Sequence, residues 1–452
     1  MENKVKNYIV LILIHVAIGF IIYLEPFFSK IYAILILIVS LFFIIKTKNR
    51  NNEVLFAAAY VVGSEVFLRM TNGNPNHEFS KYSVIVYCVL GMLYSGISKN
   101  AIPYWIFLLC LLPGVIIGVE TLSYDTINVR KTIFFNISGP VCLGVASLYC
   151  YNRKIKIEEL NNLILLLGLP IISCAIYLFF YTSDKVLIGL TGTGSNSDLT
   201  GGFGPNQVST ALGLGLFVFF SRILLNSEKK IFLFINLFFV ILIGYRGLLT
   251  FSRGGMITGF IMVLALIFII YINVKKASRL RFFYIFGFLI ITFLSIWIFT
   301  ENKTGGLISK RYSNQDALGR TKTSKLSGRE DLAAGEFNMF LENPYFGVGV
   351  GRGTDIRKQQ MGDLYASHDE ITRMMAEHGF FGILGLLILI ITPFVLYLDN
   401  KQNIYMFCFL VFWFLTINHA AMRTASPSFI YALCLLKVKF NDEQTQSTIH
   451  RK

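Results

Sequence analysis

Apolar runs of bilayer length recur along this chain and constrain its fold more than any other feature. Four that are almost free of charge cover residues 8–24, 31–45, 257–271 and 282–299. Each is long enough to cover most of a roughly 30 Å hydrocarbon layer as a helix. Hydrophobic residues make up 54% of the 452 residues, which is more apolar surface than a soluble chain uses. The sequence therefore predicts an all-α, polytopic integral membrane protein.

Hydropathy predicts about 14 spans in all. They begin near residues 8, 31, 54, 82, 101, 132, 161, 206, 231, 254, 281, 380, 402 and 427. Loops placed alternately on two sides keep a consistent character from end to end, which indicates an even number of spans. Removing two spans from one region preserves that pattern, so the prediction is about 12–14 transmembrane helices. The seven cysteines lie in or beside apolar segments and are predicted to be membrane-core residues.

The formal net charge of +15 would suggest nucleic acid in a soluble protein. Here the basic residues fall mostly in short loops such as 46–50, 153–156 and 222–230. The positive-inside rule predicts that these loops are cytoplasmic and contact membrane lipids, and no nucleic-acid motif is found. The predicted organisation is a transmembrane region over 1–299, a large extracytoplasmic loop over 300–379, C-terminal transmembrane helices over 380–440 and a cytoplasmic tail over 441–452.

The large loop is too long for a passive connection and contains helix signals of its own. Ser327-Gly-Arg-Glu330 has the spacing of a capping box, and a helical pattern over 332–341 ends at Asn343-Pro344. Ser367-His-Asp-Glu370 predicts a second capped helix that runs to residue 377 and stops at Gly379. With Ser367 as the cap, His368 would lie in the first turn. The positive helix end would keep its ring neutral, the state that a general base needs.

Two motifs precede predicted spans on the same side as the large loop. In Thr250-Phe-Ser-Arg-Gly-Gly255, Arg253 either binds an anion at headgroup depth or snorkels from a span end. In Gly201-Gly-Phe-Gly-Pro-Asn206-Gln, Pro205 fixes a turn and Asn206 is predicted to cap the next helix, with ligand contact as a possible addition.

Two polar clusters interrupt the N-terminal half, Glu65/Arg69/Glu78/Lys81 and Glu120/Asp125/Arg130/Lys131. Glu65 and Arg69 have ion-pair spacing within an apolar run, so the pair has either a functional or a helix-locking role. The glycine-rich stretch 347–353 does not fit a nucleotide-binding motif, and no metal-binding or nucleophile motif is found. Chemistry without metal or cofactor is therefore favoured.

The order of the motifs in the C-terminal half is informative. It runs from Gly204-Pro-Asn206 and Ser252-Arg-Gly-Gly255 to Gly328-Arg329, Glu342-Asn-Pro344 and Gly347-Val-Gly349, then Ser367-His368 and Glu377-His-Gly-Phe-Phe-Gly382. Over about residues 200–390 this resembles the O-antigen ligase and O-antigen polymerase superfamily of bacterial membrane glycosyltransferases. The resemblance implies an undecaprenyl-pyrophosphate-linked glycan donor and inverting, metal-independent transfer on the periplasmic face of the inner membrane. The acceptor would be a lipid A core, a growing glycan or a protein hydroxyl.

The resemblance also assigns roles to particular residues. Arg253 and Arg329 would hold the donor pyrophosphate, and His368 would be the base for the acceptor hydroxyl. The predicted substrate-binding residues are Arg246, Arg320, Asn206, Arg69, Lys81, Asp369 and Glu377.

Some residues depart from the family pattern. His368 is followed by Asp369 where the family often has Asn, and Leu332 and Ala333 occupy a region where it often has an aromatic residue. The basic loop residues Arg311, Lys322 and Lys325 modestly favour an anionic acceptor and hence a ligase. The alternatives are a polymerase or a protein O-oligosaccharyltransferase of the same superfamily. Outside the glycosyltransferases, the alternatives are a transporter and a non-catalytic assembly protein or receptor.

Overall fold

The computed structural model describes residues 2–122, 128–182, 190–227, 229–273, 279–322, 329–361 and 367–440. The helices before residue 250 are Glu2–Leu24, Phe27–Thr47, Glu53–Met70, Phe79–Ser95, Ile102–Thr121, Val129–Cys150, Ile157–Tyr181, Pro205–Leu225 and Lys230–Leu249, with a 3₁₀ turn at Ser197–Leu199. The later helices are Arg253–Asn273, Arg279–Lys303, Leu307–Tyr312, Arg329–Glu342, Arg352–Met361, Glu370–His378, Phe380–Asp399, Met406–Ile417 and Ala425–Leu433. Two short strands, Lys154–Lys156 and Lys437–Lys439, pair in parallel.

Each of the predicted spans corresponds to a helix, so the predicted all-α polytopic fold is confirmed. Within the described ranges, ten helices are long and apolar enough to cross a membrane, counting Glu370–Asp399 as one. The predicted spans near residues 82 and 402 are the shorter apolar helices Phe79–Ser95 and Met406–Ile417. Those near 54 and 427 are Glu53–Met70, which contains Glu65 and Arg69, and the nine-residue helix Ala425–Leu433.

The chain divides into two compact units. The first unit comprises Met1–Leu41, Ala59–His77 and Asn161–Thr323. Within it, the Pro205–Leu225 helix packs against both Arg253–Asn273 and Lys230–Leu249. A buried apolar cluster supports the start of the Arg253–Asn273 helix and consists of Leu199, Leu248, Leu249, Phe251, Ile296, Leu307 and Ile308.

Glycines let the Pro205–Leu225 and Arg253–Asn273 helices meet backbone to backbone. A Cβ atom added to Gly255 would lie 2.2 Å from Ser209 C and Thr210 N, and one on Gly213 would lie 2.1 Å from the carbonyl oxygen of Gly255. No side chain fits at these distances, so glycine is required for this approach. The contact explains the glycine at position 255.

We expect Gly255→Ala to destabilise the first unit by about 2–3 kcal/mol, because the methyl group must push two helix backbones apart. The measurement is the melting temperature of the purified protein in detergent. Gly287→Ala is the matched control, because a Cβ atom there would meet no atom within 4 Å. It should change the stability by no more than about 1 kcal/mol. Equal melting temperatures for Gly255→Ala and the wild type would contradict the close packing.

The second unit comprises Phe42–Ala58, Glu78–Leu160 and Ser324–Lys452. Its central helix, Val129–Cys150, contacts Phe79–Ser95, Ile102–Thr121 and Ala425–Leu433. The paired strands join residues 154–156 to residues 437–439, with Ile155 and Val438 buried opposite each other. In both units the cysteines are buried.

The predicted large loop contains helical structure, as expected. The Arg329–Glu342 helix ends directly before Asn343-Pro344, as predicted. Ser327 and Gly328, half of the first predicted capping box, lie outside the described residues. The last helix of the loop, Glu370–His378, ends at Gly379, which has a φ of 57°.

Candidate functional site

The first unit contains a polar cluster where the Gly204–Asn206 and Ser252–Gly255 motifs meet. The Ser252 Oγ donates to Asn206 Oδ1 at 2.8 Å, and the Ser209 Oγ donates to Ser252 Oγ at 2.9 Å. The predicted cap at Asn206 is wrong, because the helix begins at Pro205 and Gly204 is its N-cap. Proline already has the φ angle of a helix, so it starts the helix one residue earlier. The Asn206 side chain then bonds a neighbouring helix instead of its own backbone.

Arg253 is the first residue of its helix, as predicted, and it is partly buried. The residue two positions earlier, Phe251, has a φ of 55°, and its carbonyl accepts a hydrogen bond from Arg311 Nε at 2.8 Å. Burial raises the pKa of Tyr312 to about 12, while the positive charges of Arg253 and Arg311 oppose that rise. Arg253, Arg311 and Tyr312 therefore lie close enough to interact, and they form a positively charged edge beside the Asn206–Ser252 cluster.

The other predicted binding residues of the first unit have diverse surroundings. Arg246 is buried, donates to the Phe179 carbonyl at 3.1 Å and lies 5.1 Å from the Phe179 ring and 5.2 Å from the Tyr245 ring. Arg320 is largely exposed, with its Nε 2.7 Å from Asp316. These contacts show how the two side chains are held, and their substrate-binding roles stay predictions.

Two ion pairs form among the residues of the predicted cluster Glu65, Arg69, Glu78 and Lys81. Glu65 and Arg69 are 2.7 Å apart and buried in the first unit, as the spacing predicted. Lys81 is 2.6 Å from Glu78 and donates to the Ser138 Oγ at 3.0 Å, both within the second unit. A buried amine with a carboxylate and a hydroxyl beside it satisfies the requirement that buried charges be paired.

The other predicted polar cluster is described only in part. Asp125 lies outside the described residues. The Arg130 guanidinium lies 5.8 Å from the centre of the Phe134 ring.

His368 lies just before a helix in the second unit, and one of our predictions about it is wrong. The N-cap is Asp369, whose Oδ1 accepts from the amides of Ile371 at 2.8 Å and Thr372 at 3.4 Å. The single proton of the Ser367 hydroxyl instead has two acceptors within reach, Glu336 Oε2 at 3.2 Å and the Asp369 carbonyl oxygen at 2.8 Å. A carboxylate is a stronger acceptor than a hydroxyl, so Asp369 takes the helix amides. His368 is thus outside the helix, and the predicted first-turn position that favoured a neutral ring does not apply.

Buried charged side chains hold the backbone around His368. Arg373 pairs with Glu370 and, at 2.7 Å, with Glu377. The Glu377 carboxylate also accepts the Gly351 amide at 2.9 Å, so this buried group has both a cation and a backbone donor as partners.

A second set of contacts converges on Glu336. Its carboxylate accepts from Thr372 Oγ1 at 2.6 Å and from Arg357 Nη1 at 2.8 Å. Burial raises the pKa of Glu336, and the Thr372 hydrogen bond and the charge of Arg357 lower it. Burial likewise raises the pKa of Asp369, against the backbone amides that it caps. These buried contacts give the segment that carries His368 a fixed position.

Beside His368 lies a basic cluster made of Arg329, His419 and Arg423. Arg423 Nη2 donates to the Ser367 carbonyl at 2.7 Å, and the Ala421 amide donates to the His368 carbonyl at 3.1 Å. Burial lowers the pKa of Arg423, and the positive charge of Arg329 lowers it further. Arg329 is therefore near Arg423, and Arg423 is hydrogen-bonded to the carbonyl of Ser367, the residue before His368.

Sequence reasoning missed Arg423 and His419. Both occur at residues 419–426, between the last two predicted spans, where the alternation of sides puts the loop on the same side as the large loop. A signal was therefore available in the sequence, namely an arginine in the short loop between the last two predicted spans.

His419 should make the stability of the second unit depend on pH. Burial lowers its pKa from 6.5 to about 4, and Arg329 acts in the same direction. Between these values the unfolded chain binds a proton that the folded chain does not, so stability falls as the pH decreases from 6.5 towards 4. The loss from this group is roughly 3 kcal/mol. We expect His419→Gln to lose less thermal stability than the wild type between pH 7.5 and pH 4.5. Equal losses would contradict a buried, neutral His419.

Among the residues described, no group of three or more His, Cys, Asp or Glu side chains is arranged to hold a metal ion.

Comparison with known proteins gives a family match for part of the chain. Residues 237–387 match the family model described as O-Antigen ligase. That segment contains Arg253, Arg329 and His368. No curated protein matches the chain, and no solved structure does.

Proposed function

Because residues 237–387 match the family model described as O-Antigen ligase, we propose that the chain belongs to this superfamily and transfers a glycan from undecaprenyl pyrophosphate to an acceptor hydroxyl. The observation that carries the proposal is that the matched segment contains Arg253, Arg329 and His368. The ten apolar helices agree with a multi-pass bacterial membrane protein. We further propose that it lies in the inner membrane and acts on the periplasmic face.

His368 is the proposed general base. Its imidazole takes the proton of the acceptor hydroxyl, and the hydroxyl oxygen attacks the anomeric carbon of the donor. The bond from that carbon to the pyrophosphate oxygen breaks, and the electron pair leaves with the pyrophosphate. Attack opposite the leaving group inverts the anomeric centre. The hydrogen bonds from Ala421 and Arg423 to the backbone of residues 367–368 support this role, because a base must be held in position.

Arg329 is proposed to bind phosphate oxygens in the second unit. It lies near Arg423, and its positive charge disfavours the charged form of Arg423, while Glu370 favours that form. An anion that lies between them relieves that repulsion. Charge that develops on a leaving pyrophosphate is stabilised by donors that are already in place.

Arg253 is proposed to bind a donor phosphate in the first unit. Its location at a helix start and beside Arg311 supports this role, because backbone amides and two cations favour an anion there. The Asn206–Ser252 hydrogen bond fixes the residue before Arg253 to a neighbouring helix.

Within the superfamily we favour a ligase over a polymerase or a protein O-oligosaccharyltransferase. Arg311 and Lys322 lie in described parts of the first unit, where their charges would favour an anionic acceptor such as a phosphorylated lipid A core. Lys325 lies outside the described residues. The preference concerns only the acceptor, since all three activities use the same class of donor.

The test is transfer by the purified protein in nanodiscs that contain a labelled undecaprenyl-pyrophosphate glycan. Lipid A core, a glycan repeat unit and a serine-containing peptide are offered separately as acceptors. We expect a product with the inverted anomeric configuration, formed best with lipid A core and equally fast in EDTA. No product with any acceptor would contradict transferase activity. A product that forms in EDTA only after Mg²⁺ is added back would contradict the metal-independent mechanism.

A further inference from the structure

A groove of about 700 Å³ with both polar and apolar lining residues lies in the first unit, outside residues 237–387. We call it the Arg69 groove. It is lined by Lys30 and Ile34 of the second helix, Arg69 at the end of the third, the residues 72–77 that follow, and Phe203. Phe203 directly precedes Gly204, the N-cap of the Pro205–Leu225 helix. The roles proposed for His368, Arg329 and Arg253 do not use this groove, although the sequence predicts Arg69 to bind substrate.

Arg69 has more hydrogen-bonding capacity than its surroundings satisfy. Its side chain is 3% exposed, and Nη2 is 2.7 Å from Glu65 Oε1. Its Nε and Nη1 are buried and have no hydrogen-bond partner among the described residues. Buried guanidinium nitrogens are normally satisfied, so two without partners in the wall of a groove indicate a missing acceptor.

Asn74 lines the same groove and shows the same deficit. Its side-chain oxygen and nitrogen are both buried and have no hydrogen-bond partner within the described part of the chain. An amide of this kind can accept a hydroxyl proton and donate to an oxygen. Arg69 and Asn74 therefore both have unsatisfied hydrogen-bonding groups in the wall of the same groove.

The groove is held open by the structure around it. The Ser29 and Thr71 hydroxyls are hydrogen-bonded at 2.5 Å, which ties the loop to the start of the second helix. A Cβ atom on Gly73 would lie 2.0 Å from Ser29 Oγ, so the loop approaches that helix as closely as glycine allows. A binding site built in this way needs little rearrangement to accept a ligand.

We propose that the Arg69 groove binds an anionic group that also carries hydroxyls, such as a sugar carboxylate or a phosphorylated polyol. Glu65 balances the positive charge of Arg69. The charge of Lys30 is then in excess, and it favours an anion in the groove. The asparagine amides suit hydroxyl groups, and the apolar ring of Phe203 offers a face against which a sugar ring can pack. The same chemistry occurs in an acidic sugar of a glycan and in a phosphatidylglycerol headgroup.

Binding can be measured without turnover, so this test is independent of the transferase activity. The protein is placed in phosphatidylcholine nanodiscs and titrated by calorimetry with glucuronate, glucose 1-phosphate or neutral glucose. We expect either anionic sugar to bind at least tenfold more tightly than glucose. A second arm compares the melting temperature in phosphatidylcholine and phosphatidylglycerol nanodiscs. A rise with phosphatidylglycerol alone, lost in the groove variants below, would support the site and identify a lipid headgroup as the source of the anion.

Two variants test the groove while limiting the risk of misfolding. Asn74→Ala leaves the Glu65–Arg69 pair intact and should weaken anion binding at least fivefold. The double variant Glu65→Gln/Arg69→Gln removes the guanidinium without leaving a buried carboxylate alone, and it should reduce binding tenfold or more. Lys303→Gln removes an exposed lysine of the same unit and should change binding less than twofold. The proposal is overturned if no anion or anionic lipid binds, or if binding is the same in all variants.

Discussion

His368→Ala is expected to reduce the rate of glycan transfer by at least about a hundredfold, the usual contribution of a positioned general base. The variant removes the group proposed to take the acceptor proton. It keeps the backbone carbonyl that accepts the Ala421 amide. Stability should therefore change little. The measurement is the initial rate of product formation from a lipid-linked donor at saturating acceptor, together with the melting temperature.

Added imidazole provides the control for this variant. If the missing group is a base, free imidazole should restore part of the lost rate, with a pH dependence that follows the neutral form of imidazole. A merely structural histidine would show no such rescue. Full activity of His368→Ala at an unchanged melting temperature would remove His368 from the mechanism.

Arg253→Lys is expected to reduce the transfer rate by about a hundredfold, the scale on which single donors to developing charge act. Lysine keeps the charge but loses the planar set of donors that can bond two phosphate oxygens together. The loss should appear mainly in the catalytic rate, because the charge on the leaving phosphate increases as the glycosidic bond breaks. Single-turnover kinetics with preformed enzyme–donor complex separates this from weaker binding.

Arg50→Lys is the matched control, because Arg50 is exposed in a short loop of the second unit and has no proposed role. Its rate should lie within about twofold of the wild type, as most surface substitutions are near neutral. Near-normal kinetics for Arg253→Lys as well would mean that Arg253 only anchors a span end.

Hydropathy and local signals predicted much of the fold. The predicted spans all correspond to helices because a bilayer leaves helical hydrogen bonding as the main solution for long apolar segments. Two predicted helix ends were also correct, the one before Asn343-Pro344 and the one at Gly379. Both are set by the backbone preferences of proline and glycine. The Glu65–Arg69 pair followed from one helical turn of spacing.

The two wrong N-cap predictions arose where more than one residue could begin or cap the same helix. Ser367 and Asp369 can both cap a helix, and only the position of Glu336 shows that the serine hydroxyl has another partner. Asn206 could cap its own helix until Pro205 started that helix one residue earlier. The presence of Arg423 beside His368 depends on residues more than 50 positions apart in the sequence, which no local pattern encodes.

The glycine contact between the Pro205–Leu225 and Arg253–Asn273 helices has a consequence for motion. Two backbones that touch cannot slide past each other by small rotamer changes, because there are no side chains between them to yield. We therefore expect the two helices that carry Asn206 and Arg253 to move together as one rigid body. Any opening of the first unit that admits a lipid tail has to come from helices other than these two.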